Sequence, residues 1–162
     1  MSAEPGIAKM MGDLEVAFQE VAATALGLPP FSIKARLEEP PPGAQGAYLA
    51  LVTGQSSIQI GIASDEAGCQ ALAKGLLSMT EADPPLAAPE LADAFCEIVN
   101  IVAGAFKSRV RERLGSLSMG LPIFFHGPAQ ATEHTAVQVT VVEAGASTAA
   151  LLLVYPRSHG HG

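Results

Sequence analysis

Tryptophan is absent from this 162-residue chain, and there are only two cysteines, Cys69 and Cys96. Two cysteines on separate expected helices cannot build the disulfide framework of a small secreted domain, and they read as small buried thiols. Nothing in their spacing marks a redox pair. Charge is also scarce. Charged residues are 15% of the chain against 49% hydrophobic, which excludes a disordered protein. Nine basic residues face sixteen acidic ones, a net charge of −7, with no basic run. Phosphate backbones are bound by clustered cations, so nucleic acid is not expected as a partner. Long apolar runs are missing too. The longest, Ala149–Tyr155, suits a buried strand and is far short of the about 18–20 residues of a membrane span. Met1–Ala8 has neither the positive start nor the apolar run of a secretory signal. These absences point to a soluble, cytoplasmic protein that does not engage a membrane. Its length suits one domain, taken as residues 1–157, followed by a loose tail, 158–162, that includes His159 and His161.

Ala, Gly and Pro, by contrast, are plentiful, and they punctuate the chain. Ile7–Leu26 reads as a helix ended by Gly27 and Pro29-Pro30. Phe31–Glu38 is an expected strand, and the Pro40-Pro41-Pro42-Gly43 run after it must be a loop. Ala47–Thr53 and the alternating Ile58, Ile60 and Ile62 are two more strands. Ser64 is the expected N-cap of a helix reaching about Met79. Pro89 suits the first position of a long helix running to about Leu114 and stopped by Gly115. Three further strands follow, at Met119–His126, His134–Glu143 and Thr148–Tyr155. His126 and His134 read as exposed strand ends. This grouping of like elements predicts an α+β fold, with a mainly antiparallel six-stranded sheet and helices packed over one face.

The long helix carries the most informative stretch, Asp93–Gly104. At 100° per residue, Leu91, Phe95, Ile98, Val99, Val102, Phe106 and Val110 form one stripe, the predicted buried face. Asp93, Glu97, Asn100, Gly104, Lys107, Ser108 and Arg111 lie opposite. The three-residue step from Glu97 to Asn100 puts a carboxylate and an amide on one face. Asn and Gly are poor helix formers, costing roughly 0.5 and 1 kcal/mol relative to Ala. A face that only met water would be better built from Glu, Lys or Gln. A glycine one turn beyond Asn100 leaves a bare patch which another backbone can approach. The alternative is an ordinary solvated face, since exposed Asn and Glu at helical spacing are common, with Gly104 packed under a neighbouring element of the same chain.

The pattern Asp93-x-x-x-Glu97-Ile98-x-Asn100-x-x-x-Gly104 resembles the signature of the CheC/CheX/FliY family of chemotaxis phosphatases. Leu121-Pro122-Ile123, leading to Gly127, is similar to the segment after that helix in CheX proteins. The family is built of two pseudo-symmetric halves, and a repeat is visible here at an offset of 77 residues. Leu14, Ala17, Phe18, Glu20 and Gly27 match Leu91, Ala94, Phe95, Glu97 and Gly104, and Val21 matches Ile98. Ala23 stands where Asn100 would be matched, so the first half lacks the amide, which resembles the single-site CheX arrangement.

The resemblance implies an enzyme that hydrolyses the aspartyl-phosphate of a CheY-like response regulator. It implies that Asn100 orients the attacking water and that Glu97 docks to the regulator. Asp93, Gly104, Lys107 and Arg111 are the expected partner-binding surround. No cofactor or metal of its own is expected, the Mg2+ being the regulator's. A homodimer formed through the sheets is a further implication. The alternative readings are a non-catalytic CheX-like module that binds a response regulator or motor component, and a structural or sensory domain with no regulator partner.

Overall fold

The computed structural model describes residues 5–54, 57–126 and 132–157. Its elements run α1 (Pro5–Thr24), β1 (Ser32–Leu37), β2 (Gln45–Val52), β3 (Ser57–Ser64), α2 (Glu66–Leu76), α3 (Ala88–Leu114), β4 (Ser118–Met119), β5 (Ile123–His126), β6 (Thr135–Ala144) and β7 (Ser147–Pro156). The fold is α+β, as the sequence predicts. Among the described residues the sheet has seven strands in the order β1-β6-β7-β3-β2-β4, with β5 also on the outer edge of β2, and every pair is antiparallel. The expected strand Met119–His126 is present as two pieces, β4 and β5. Gly120 still donates its N–H to the Ala50 carbonyl. Pro122 has no N–H to give, so the ladder lapses until Ile123.

The sheet order carries the internal repeat. Exchanging β1, β2 and β3 with β5, β6 and β7 returns the same order of neighbours. The central pair is β3–β7, in register from Gln59↔Val154 to Ala63↔Ala150. The long apolar run at Ala149–Val154 therefore lies in a central strand, buried on both faces.

The three helices among the described residues cover one face of the sheet. Leu14, Phe18, Leu72, Phe95, Ile98 and Phe106 share a core with Leu51, Ile60, Ile62, Leu151 and Leu153. A smaller cluster on the other face holds Tyr48, Val137, Val139 and Leu152 and no helix residue. Phe18 of α1 packs on Phe31 and Phe95 of α3 on Phe124, each with ring centroids 5.9 Å apart. Each long helix thus packs on an aromatic of its own half, Phe31 just before β1 and Phe124 in β5.

Ion pairs fix α1 on two sides. Glu15, nearly buried, accepts hydrogen bonds from Arg36 of β1 at 3.0 Å and from the Thr140 hydroxyl of β6 at 2.7 Å. A buried carboxylate is tolerated only with such partners. Toward α3, Asp13 pairs with Arg109 and Arg113, and Glu20 with Arg109. The rising numbers on α1 meet falling numbers on α3, so the two helices run antiparallel.

One expected cap is corrected. Asp65, not Ser64, caps α2, its Oδ1 accepting from the Gly68 N–H at 2.7 Å. Ser64 is still in β3, where its hydroxyl donates to the Thr148 carbonyl at 2.6 Å. The helix ends at Leu76, short of Met79. The expected tail, with His159 and His161, lies outside the described residues. No helix among the described residues is long and apolar enough to cross a membrane.

Gly61 shows what a packing-determined glycine looks like here. A Cβ at this position would collide with the Tyr48 ring on the neighbouring strand. Gly61→Ala is therefore expected to cost about 1–3 kcal/mol as the ring is displaced, read as a lower midpoint in denaturant or thermal unfolding.

Candidate functional site

Helix α3 has 27 residues and spans about 40 Å. It begins at Ala88, one residue before the expected start, so Pro89 is its second residue, and Gly115, whose N–H bonds to the Arg111 carbonyl, closes it. Every member of the expected apolar stripe is buried: Leu91, Phe95, Ile98, Val99, Val102, Phe106 and Val110. The helix is thereby fixed in rotation, and its other face turns outward. Asp93, Glu97 and Arg111 are exposed on that face, while Asn100, Gly104 and Lys107 are half-buried.

Two observations separate this face from ordinary solvated surface. First, among the described residues no side-chain hydrogen bond or ion pair engages Glu97 or Asn100, whereas the acidic residues of α1 are all tied down. Asn100 is also the only asparagine in the chain. Second, a Cβ built on Gly104 meets nothing among the described residues within 4 Å. No described element packs there, so packing among these residues does not require the glycine. It persists at a position where Ala would favour the helix by about 1 kcal/mol.

The first half gives the contrast. Leu14, Ala17, Phe18 and Val21 are buried as their matches Leu91, Ala94, Phe95 and Ile98 are, so the frame is repeated. The outward residues are not equivalent. Glu20 lies 3.6 Å from Arg109 of α3. Ala23, exposed, offers no amide. Gly27 adopts φ +64 beyond the end of α1, so it serves the helix terminus, whereas Gly104 lies well inside α3.

Other places for chemistry among the described residues are poor. Among the described residues, no three His, Cys, Asp or Glu side chains converge on a metal site. A shallow cleft of about 170 Å³ is lined by Pro41, Pro42, Ser64, Asp65 and Thr148 among others. Two of its polar side chains are already engaged, Ser64 with the Thr148 carbonyl and Asp65 as the α2 cap. Cys69 is fully buried, and burial pushes its thiol up to about 12, while burial and then Asp93 raise that of Cys96. Neither is the activated thiolate that redox chemistry needs. The ion pairs of Arg109 and Arg113 were not read from the sequence. Their signal was Asp13 and Glu20, seven apart, facing two arginines four apart.

The family model for chemotaxis phosphatase CheX matches residues 48–144, more than half of the chain and including the whole Asp93–Gly104 motif. The chain belongs to the CheX family. Among curated proteins, no sequence matches it. Solved structures share its fold at low identity. A CheC-like superfamily protein from Shewanella sp. PV-4 superposes with a TM-score of 0.74 at 16% identity, over 90% of this chain and 96% of that one. The chemotaxis protein CheX from Vibrio vulnificus gives 0.72 at 18%, over 91% and 99%. The CheX of Borrelia burgdorferi, in a complex with CheY, BeF3 and Mg2+, gives 0.69 at 15%, over 91% and 97%.

Filling the bare patch on this CheX-family helix tests whether the fold needs it. Gly104→Ala is expected to raise stability by about 0.5–1 kcal/mol, measured as an increased midpoint of denaturant unfolding. A loss of stability would mean that an internal contact holds the position.

Proposed function

We propose that this protein hydrolyses the aspartyl-phosphate of a CheY-like response regulator, with the outward face of α3 as the docking and catalytic surface. The observation that carries the reading is the open, internally unengaged Glu97–Asn100–Gly104 stripe on a helix whose other face is wholly buried. Membership of a chemotaxis phosphatase family supports it. So does the existence of a CheX–CheY complex from Borrelia burgdorferi, which holds Mg2+ and BeF3.

In this reading the partner brings the phosphoryl group and the metal, and this chain brings an orienting group. An aspartyl-phosphate is an activated acyl phosphate. Hydrolysis forms a bond from a water oxygen to phosphorus and breaks the bond from phosphorus to the aspartyl oxygen, releasing the carboxylate and inorganic phosphate. The contribution required of this chain is to hold the water in line. The Asn100 side chain can donate and accept, so it can fix a water through its protons and a lone pair at once. A carboxylate at that position would be repelled by the phosphoryl oxygens. Glu97, exposed and three residues upstream, pairs with a cation on the regulator and sets the docking register. Gly104 lets the partner's backbone come close to the helix.

The protein contributes no cofactor in this scheme and works where receiver domains work, in the cytoplasm. Two copies paired through their sheets, on the side away from the helices, would leave both α3 faces free. The reading of a non-catalytic binding module shares the same surface and differs only in the role of Asn100.

The phosphate lifetime of a CheY-like receiver domain, followed with equal concentrations of each variant, separates the roles. Asn100→Ala is expected to remove the stimulated hydrolysis, a loss of at least about a hundredfold, with an unchanged unfolding midpoint. Equal rates for wild type and Asn100→Ala would end the catalytic reading. Glu97→Ala is expected to weaken binding to the beryllofluoride-activated receiver by about 1.5–3 kcal/mol. Unchanged affinity would remove its docking role.

A further inference from the structure

The last turns of α3 hold four cations, Lys107, Arg109, Arg111 and Arg113, and the structure divides them. Arg109 is 3.7 Å from Asp13 and 3.6 Å from Glu20, and Arg113 also bonds Asp13. These two arginines belong to the α1–α3 contact. Lys107 and Arg111 have no carboxylate partner among the described residues, in a chain with sixteen acidic residues and only nine basic ones. They stand four residues apart, on the outward face that carries Asn100 and Gly104.

The spacing gives the face a polarity. Glu90, Asp93 and Glu97 precede Asn100, all exposed. Lys107 and Arg111 follow it, about 10 and 16 Å further along the helix axis. Helical side chains lean toward the N-terminus, which aims the Lys107 stem back toward the bare patch at Gly104. The stripe thus runs from acid, through an amide and a gap, to base.

Resting on the reading above, we infer that Lys107 and Arg111 are the anion-recognising end of the docking surface, and that their occupant is the acidic rim of a receiver domain's phosphoacceptor pocket. The argument is charge complementarity. A Mg2+ site is built from carboxylates and phosphate oxygens, so the surface around it is rich in negative charge. The acidic end of the stripe takes a basic group on the same partner. Opposite charges at the two ends of one helix admit one docking polarity and repel the reversed one. Neither cation needs to touch the reacting phosphoryl group. Their effect is to orient the encounter and raise its rate, an effect that salt screens.

The test is stopped-flow association with CheY-like receiver domains from the same cell, activated with beryllofluoride and Mg2+, at low and high ionic strength. The double variant Lys107→Glu, Arg111→Glu is expected to associate at least about tenfold more slowly at low salt, with the difference shrinking at high salt. Lys107→Gln, Arg111→Gln is expected to lie between it and wild type. Arg109→Gln, by contrast, is expected to lower the unfolding midpoint by releasing Glu20 and leaving Asp13 with Arg113 alone. Association rates and salt dependence equal to wild type in both double variants would overturn the inference. If wild type itself neither binds nor shortens the phosphate lifetime of any receiver, the proposed function fails first. If wild type does both while the charge-reversed variant associates as fast, this inference alone fails.

Discussion

Burial of a single stripe of α3 is the constraint on which the rest of the structure depends. Phe95, Ile98, Val99, Val102, Phe106 and Val110 are buried in the core that α3 shares with α1, α2 and the sheet. That packing leaves the helix no rotational freedom. A rigid helix with one sealed side must present its other side at a fixed height and angle, and Glu97, Asn100 and Gly104 lie on that side. Precision at the outward face therefore comes from the core, and the site needs no loop to form it. Sites on such elements are held more closely than sites on loops.

The two halves of the fold show how one frame serves two ends. Phe18 and Phe95 occupy matching positions and each packs against an aromatic of its own half. The strand order is unchanged when the halves are exchanged. The outward residues are where the halves part in role. In α1, Glu20 joins Asp13 in holding Arg109, so the helix's acidic groups contribute to assembly. Each such half-exposed pair is worth about 0–1 kcal/mol, so they set alignment more than stability. In α3 the equivalent carboxylate is left open beside the one asparagine in the chain. The first half carries structure, and the second carries structure and the candidate chemistry.

Much of this was legible in the sequence, because it depends on local periodicity. The buried stripe of α3, its start within one residue of Pro89 and its Gly115 stop follow from side-chain spacing within one helix. So does the placement of Glu97 and Asn100 on one face. What was not legible depends on partners far away in the chain. Ser64 and Asp65 are equally good caps by type, and only the strand register, which gives Ser64 the Thr148 carbonyl, decides between them. The bond from Arg113 to Asp13 joins residues 100 apart. Whether Gly104 packs under a neighbour or stands open is likewise a tertiary property, and sequence reasoning left both alternatives in place.

Because Asn100 has no rival of its own residue type, its side chain can be observed alone. Selective ¹⁵N labelling of asparagine gives one side-chain amide pair, recorded while a CheY-like receiver activated with beryllofluoride and Mg2+ is added. If Asn100 is the group presented to the phosphoryl site, that pair is expected to shift and its exchange with solvent to slow at saturation. An Asn100 amide pair that does not move when the receiver is fully bound would contradict the account.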